Sequence, residues 1–125
     1  MMTQMAALVL IVDDNEQNAK LACDVLEAAG LSTMTAATAA EALALAHEHV
    51  PDVVLMDLRL PDLDGSEALR RLRVEPATAH IPVVALTAVT GARELLLEAG
   101  FAGCVEKPFD VRELPAQVRR VLAPG

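Results

Sequence analysis

A chain of 125 residues suits one domain, residues 1–125, long enough to bury a core without disulfide or metal staples. A formal charge of −8 argues against direct nucleic-acid binding, because phosphates would repel it, and no apolar run approaches the ~20 residues of a membrane span. Hydrophobic residues make up 54% and aromatics 2%, so the core must be built from Ala, Val, Leu and Ile.

The first apolar run, Leu8 to Val12, is rich in β-branched residues and predicts a strand buried on both faces. Asp13 and Asp14 end it. A helix follows from Glu16 to Ala29, with Asn15 as N-cap and Gly30 just past its end. Ala19, Ala22, Leu26 and Ala29 form its apolar stripe. A weaker strand runs from Ser32 to Ala36. The next helix opens on a capping box, Thr38 and Glu41, and runs to His49 before Pro51 stops it. Val53 to Met56 is a third strand, ending at Asp57.

The loop LRLPDLDG leads into a helix that Asp64 caps, with Glu67 three residues on; Glu75-Pro76 ends it. Val83 to Leu86 is the fourth strand, ending at Thr87. A short helix, Ala92 to Ala99, closes at Gly100. Gly103 to Val105 is the fifth strand, ending near Lys107-Pro108. Asp110 and Glu113 cap a last helix that runs to Leu122. Strands alternating with helices imply right-handed parallel crossovers, hence an α/β three-layer sandwich with helices on both faces of an open sheet.

Cys23 and Cys104 lie far apart in apolar surroundings, which predicts free buried thiols and a reducing compartment, the cytoplasm. Met1 to Ala7 lacks the basic-then-apolar pattern of a signal peptide. His47, His49 and His80 share no geometry and are assigned no role.

The informative polar residues all fall at strand ends: Asp13 and Asp14 after the first, Asp57 after the third, Thr87 after the fourth, Lys107 after the fifth. Open α/β sheets bind ligands outside those carboxyl ends. Each residue alone has a bland reading as a turn, cap or solvated loop residue. Their co-occurrence at four strand ends favours a site. Three crowded carboxylates call for a cation, and Mg²⁺ suits all-oxygen ligands. A carboxylate is a known nucleophile in phosphoryl transfer. Mg²⁺ and Lys107 can neutralise the transferred group, and Thr87 can donate a hydrogen bond to it.

At this point the chain resembles the response-regulator receiver family of two-component systems, over Leu8 to Leu122. The motifs that carry the resemblance are LIVDDNEQN at 10–18, PDVVLMDLRLPDLDG at 51–65, IPVVALTA at 81–88 and EKPF at 106–109. The stretch VDDNEQNAKLACDVLEAAG is similar to single-domain regulators of the DivK type and to receivers of hybrid kinases.

The resemblance implies a flavodoxin-like sheet of order 2-1-3-4-5 with five helices. It implies Asp57 as phosphoacceptor, Asp14 as a direct Mg²⁺ ligand, Asp13 as a ligand mostly through water or as a second direct one, and the backbone carbonyl of Arg59 completing the shell. Thr87 and Lys107 would hold the phosphoryl group, and Pro108 would be cis. The implied partners are a histidine kinase or histidine phosphotransfer protein and a downstream protein target. The implied state is a monomer or weak dimer, a signalling domain that catalyses only its own phosphorylation and slow autodephosphorylation.

Two features depart from the family pattern. Gly103-Cys104-Val105-Glu106 has no ring where the family usually carries Tyr or Phe before its Lys, and the segment from Thr87 to Lys107 is short, with the loss around Val89 to Ala92. Three other readings compete. A phosphorylation-independent pseudo-receiver would lack one of the key residues, all of which are present. A phosphatase of the haloacid dehalogenase type needs a second Asp two positions after the nucleophile, where this chain has Arg59. A flavodoxin-like FMN binder needs a phosphate-cradling Ser/Thr/Gly loop after the first strand, where DDNEQ repels phosphate unless a metal intervenes.

Overall fold

The computed structural model describes residues 6–122. The reading of Met1 to Ala7 therefore falls mostly outside the described residues, as does the end of the 1–125 domain. The elements alternate as expected: β1 (Leu8–Val12), α1 (Glu16–Ala28), β2 (Ser32–Ala36), α2 (Ala39–His49), β3 (Val53–Asp57), α3 (Gly65–Val74), β4 (Val83–Thr87), α4 (Arg93–Glu98), β5 (Gly103–Glu106) and α5 (Leu114–Leu122). The strands are all parallel and ordered β2-β1-β3-β4-β5.

The apolar runs explain why β1, β3 and β4 lie in the middle: every residue of β3 and β4 is buried. β2, with its mixed pattern, takes one edge and stays half exposed. Strand side chains alternate between two cores. Leu10, Val12, Val54, Met56, Val83 and Ala85 face α2, α3 and α4. Val9, Ile11, Val53, Leu55, Val84 and Leu86 face α1 and α5. Two of the helices meet the sheet largely through alanines, Ala19 and Ala22 on α1 and Ala39, Ala42 and Ala46 on α2, while α3, α4 and α5 bury leucine and valine. The small alanine side chains let α1 and α2 approach closely without aromatic filler.

The caps follow the sequence. Asn15 accepts the Asn18 amide, Thr38 the Glu41 amide and Asp64 the Glu67 amide. Glu41 turns back past the cap and accepts the Ala37 amide at 2.8 Å, one residue before the Thr38 amide of a full capping box. Glu67 does not turn back in this way. It pairs with Arg70 and Arg71, which hold its carboxyl down at about 2.

Three expectations are corrected. α5 begins at Leu114: Asp110 accepts the Arg112 amide with its side chain and the Glu113 and Leu114 amides with its carbonyl, which closes a turn over residues 111–113, and the Glu113 carbonyl then accepts the Gln117 amide as the regular helix starts. β3, β4 and β5 each run one residue further, so Asp57 and Thr87 are themselves strand residues. Cys23 and Cys104 are free, but half-buried rather than buried, because each sits at a helix or strand margin facing a core only in part.

Candidate functional site

The strand order reverses its winding between β1 and β3, and the ligand crevice of such a sheet opens there. Register brings the ends into line: Val12 pairs with Met56, Asp57 with Leu86, and Thr87 with Glu106. Asp13 follows β1, its amide tied to the Ala36 carbonyl at 3.0 Å. The result is a cleft of about 440 Å³ that Asp13, Asp14, Asp57, Arg59, Thr87 and Lys107 line together. All the residues singled out from the sequence meet there. Asn18 lines it too, without having been singled out.

Asp57 is 7% exposed and Asp13 3%. Asp57 Oδ1 accepts the Arg59 amide at 2.9 Å, and Asp57 Oδ2 accepts Lys107 Nζ at 2.7 Å. Asp13 Oδ1 accepts the Asn15 amide at 2.9 Å. Thr87 is buried, and its Oγ1 accepts the Val89 amide at 3.0 Å, which leaves the hydroxyl proton to donate elsewhere. The Lys107-Pro108 bond is cis.

The electrostatics are unbalanced. Asp13, Asp14 and Asp57 each offer a carboxylate oxygen within 4.8 Å of the others, and the one lysine at the site pairs with Asp13 and Asp57 alone. Asp13 Oδ2 is fully buried and has no hydrogen-bond partner. Lys107 Nζ stands 3.1 Å from it, at ion-pair distance but without hydrogen-bond alignment. Burial raises the Asp13 carboxyl above its ordinary pKa, against the lowering effects of the Asn15 amide and Lys107, and the Asp57 charge adds to the rise. Burial alone would lower Lys107, but the Asp57 and Asp13 carboxylates more than offset it, so its pKa lies above the usual value.

A buried carboxylate oxygen without a partner is costly. Here it faces two further carboxylates across a gap of ion-binding size. A hard divalent cation answers that geometry, and the residues fit one.

Asp14 tests this fit directly, being the exposed member of the cluster. Asp14→Ala is expected to leave the apo melting temperature within the ~0.5 kcal/mol band of surface substitutions, since it removes one of three repelling charges. At Mg²⁺ about 100 times its dissociation constant, the wild type should gain about 2.7 kcal/mol and the variant almost none. Thermal melts with and without Mg²⁺ decide this; an undiminished shift in the variant excludes Asp14 as a ligand.

Two residues, one in the β3–α3 loop and one at the start of α3, shape the cleft without lining it. Gly65 starts α3 against the Asp57–Leu58 backbone: a Cβ built on it would stand 2.8 Å from the Asp57 carbonyl oxygen and 2.9 Å from Leu58 Cα. Asp62 reaches across to α2, its carboxylate accepting the Ala39 and Ala40 amides at 2.9 Å each. Glycine after an N-cap aspartate is a readable turn signal. The Asp62 contact joins residues 22 and 23 apart and has no local signature.

Fold and cleft together place the molecule among flavodoxin-like domains that work at the carboxyl edge of the sheet. The response regulator receiver domain family matches residues 9–119, and the chain belongs to that family. It is 41% identical over 109 residues to the polar-differentiation response regulator DivK of Brucella ovis, covering 86% of this chain and 89% of DivK.

Among solved structures it is similar to a response regulator from Chloroflexus aurantiacus, with a TM-score of 0.89 and 34% identity over 96% of this chain and 100% of that one. It is also similar, with a TM-score of 0.84 and 33% identity over 94% and 98% of the two chains, to the receiver domain of a Pseudomonas aeruginosa sensor histidine kinase whose structure has a magnesium ion coordinated in the active-site cleft. The chain is thus a receiver of two-component signal transduction, a signalling module that works through partner proteins. No helix among the described residues is long and apolar enough to cross a membrane.

Proposed function

We propose that the chain, as one receiver domain, accepts a phosphoryl group on Asp57 in a Mg²⁺-dependent reaction and changes its binding to a downstream protein as a result. The donor is a histidine kinase or a histidine phosphotransfer protein, and the compartment is the cytoplasm. The observation that carries the reading is the setting of Asp57. It is a buried carboxylate held between the Arg59 amide and Lys107, with the orphaned Asp13 oxygen beside it.

In the step, a carboxylate oxygen of Asp57 attacks the phosphorus of a phosphohistidine. The O–P bond forms, the P–N bond breaks, and the imidazole departs with the electron pair. Mg²⁺, held by Asp13, Asp14, Asp57 and the Arg59 carbonyl, would neutralise the crowded carboxylates and the phosphoryl oxygens. Lys107 already sits 2.7 Å from Asp57 Oδ2 and follows the new negative charge. Thr87 donates its hydroxyl proton to a phosphoryl oxygen. Because its Oγ1 also holds the Val89 amide, the loop toward α4 moves with it.

The test is incubation with acetyl phosphate and Mg²⁺, followed by intact-mass measurement. The wild type is expected to gain one phosphoryl group, and none when the metal is chelated. No mass gain, together with no binding of beryllofluoride, would overturn the reading in favour of a phosphorylation-independent interaction module.

A further inference from the structure

We propose that Asp62 is a positioning residue for the cleft: its carboxylate seats the tip of the β3–α3 loop on the first turn of α2 and so fixes the Arg59 carbonyl. The inference rests on the metal site proposed above, which includes that carbonyl. The first amides of a helix have no partner within the helix. On α2 the neighbouring Thr38 and Glu41 serve the Glu41 and Ala37 amides. The Ala39 and Ala40 amides are served instead by Asp62, from a different loop, with one carboxylate oxygen each. The positive end of the helix favours a carboxylate there, and the two amide bonds hold the Asp62 carboxyl below the usual range.

The consequence for the cleft lies in how the loop is pinned. Its neck is closed by the Gly65 amide on the Leu58 carbonyl at 2.9 Å and by the bridge of Arg59 with Asp64. Its tip is held by Asp62 alone among the described hydrogen bonds to α2. The start of α2 also follows directly on β2, whose last carbonyl, Ala36, holds the Asp13 amide. Asp13 and Arg59 are therefore both referenced to the same helix start. Releasing the Asp62 carboxylate leaves Arg59 positioned from the neck and from the packing of Leu60 and Leu63 against the core, without a polar tie to α2, while Asp13 stays where it was. A ligand set that must hold its geometry loses affinity when one member loosens.

Calorimetric Mg²⁺ titration of Asp62→Ala, Asp62→Asn and Thr38→Ala, alongside the wild type, separates this role from helix capping. Apo melts set a temperature at which every variant is folded. Thr38→Ala and Asp62→Ala each remove a cap from the same helix, but only the second frees the loop. Asp62→Ala is expected to raise the Mg²⁺ dissociation constant roughly tenfold, the low end of the range for groups that orient metal ligands. Asp62→Asn, with one acceptor oxygen left, should fall between it and the wild type, and Thr38→Ala should match the wild type. Unchanged affinity in Asp62→Ala overturns the proposal, as does equal weakening in Thr38→Ala, which would trace the effect to α2 stability. A wild type that binds no Mg²⁺ removes the metal site itself, and the role of Asp62 with it; a failure confined to Asp62→Ala leaves the metal site standing.

Discussion

Asp57→Ala is expected to gain no phosphoryl mass under conditions that label the wild type to completion. On the proposed reading no other carboxylate can take over. Asp13 is buried beneath Lys107 with its Oδ1 already committed to the Asn15 amide. Asp14 is exposed, and no lysine or arginine pairs with it among the described residues to receive the charge that transfer brings. A phosphoryl group adds about −1.5 to −2 charge, and of the two carboxylates that meet both Lys107 and a backbone amide, Asp57 is the less buried and the one that hydrogen-bonds Lys107, at 2.7 Å.

The loss should come without unfolding. Removing Asp57 takes away the 2.7 Å partner of Lys107 but also relieves repulsion with Asp13 and Asp14, and Lys107 keeps Asp13 at 3.1 Å. The two effects oppose each other, so the melting temperature should fall by less than the equivalent of about 3–5 kcal/mol, the cost of breaking an isolated buried pair. Intact-mass measurement and a thermal melt on the same sample decide it. An Asp57→Ala protein that labels fully would move the acceptor elsewhere, and one that is unfolded would leave the chemistry of Asp57 to be read from Asp57→Asn.

The legible part of this molecule was whatever depends on period and on strand ends. LVLIV, VVLM and VVAL are too short and too evenly apolar for helices, so they read as central strands, and they are. Strand ends can be read to within a residue, and in an open α/β sheet that is enough to bring Asp13, Asp57, Thr87 and Lys107 to one edge. What could not be read were contacts whose two halves carry no shared pattern. Asp62 looks like any loop aspartate until the fold sets it against α2.

The delay of α5 to Leu114 arises after the cap. Asp110 caps as expected, its side chain taking the Arg112 amide and its carbonyl the Leu114 amide, but the helical bonds lapse over residues 111–113 and resume at Glu113, so the regular helix starts late. The missing ring leaves a half-buried Cys104 at the margin of the α4 side core. A thiol offers less differential packing between two states than a ring does. On the proposed reading, a rearrangement on phosphorylation would rest mainly on the loop that follows Thr87, whose Oγ1 holds the Val89 amide.

Gly65→Ala is expected to damage both stability and labelling, although it adds a single methyl group. The added Cβ would meet the Asp57 carbonyl oxygen at 2.8 Å, Leu58 Cα at 2.9 Å and Leu58 Cδ2 at 3.1 Å. The leucine side chain can rotate away; the two backbone atoms cannot. They belong to the segment that carries Asp57 and Arg59, and Gly65 is tied to it by its own amide on the Leu58 carbonyl. Either α3 lifts off the end of β3 or that segment shifts.

Alanine is the better helix former by up to about 1 kcal/mol, but overpacking of this kind costs about 1–3 kcal/mol and here falls on backbone. The net loss should be about 2 kcal/mol, a fall in melting temperature of roughly 8 °C for a domain of this size. Labelling should suffer more than stability, because a shift of about 1 Å in a reacting group can slow transfer by roughly a hundredfold. The measurement is the rate of mass gain with acetyl phosphate at a temperature where the variant is folded, set against its melt. A variant that melts low but labels at the wild-type rate would show that α3 yields and Asp57 does not. Unchanged values for both would mean the close approach of Gly65 to Asp57 is not maintained in solution.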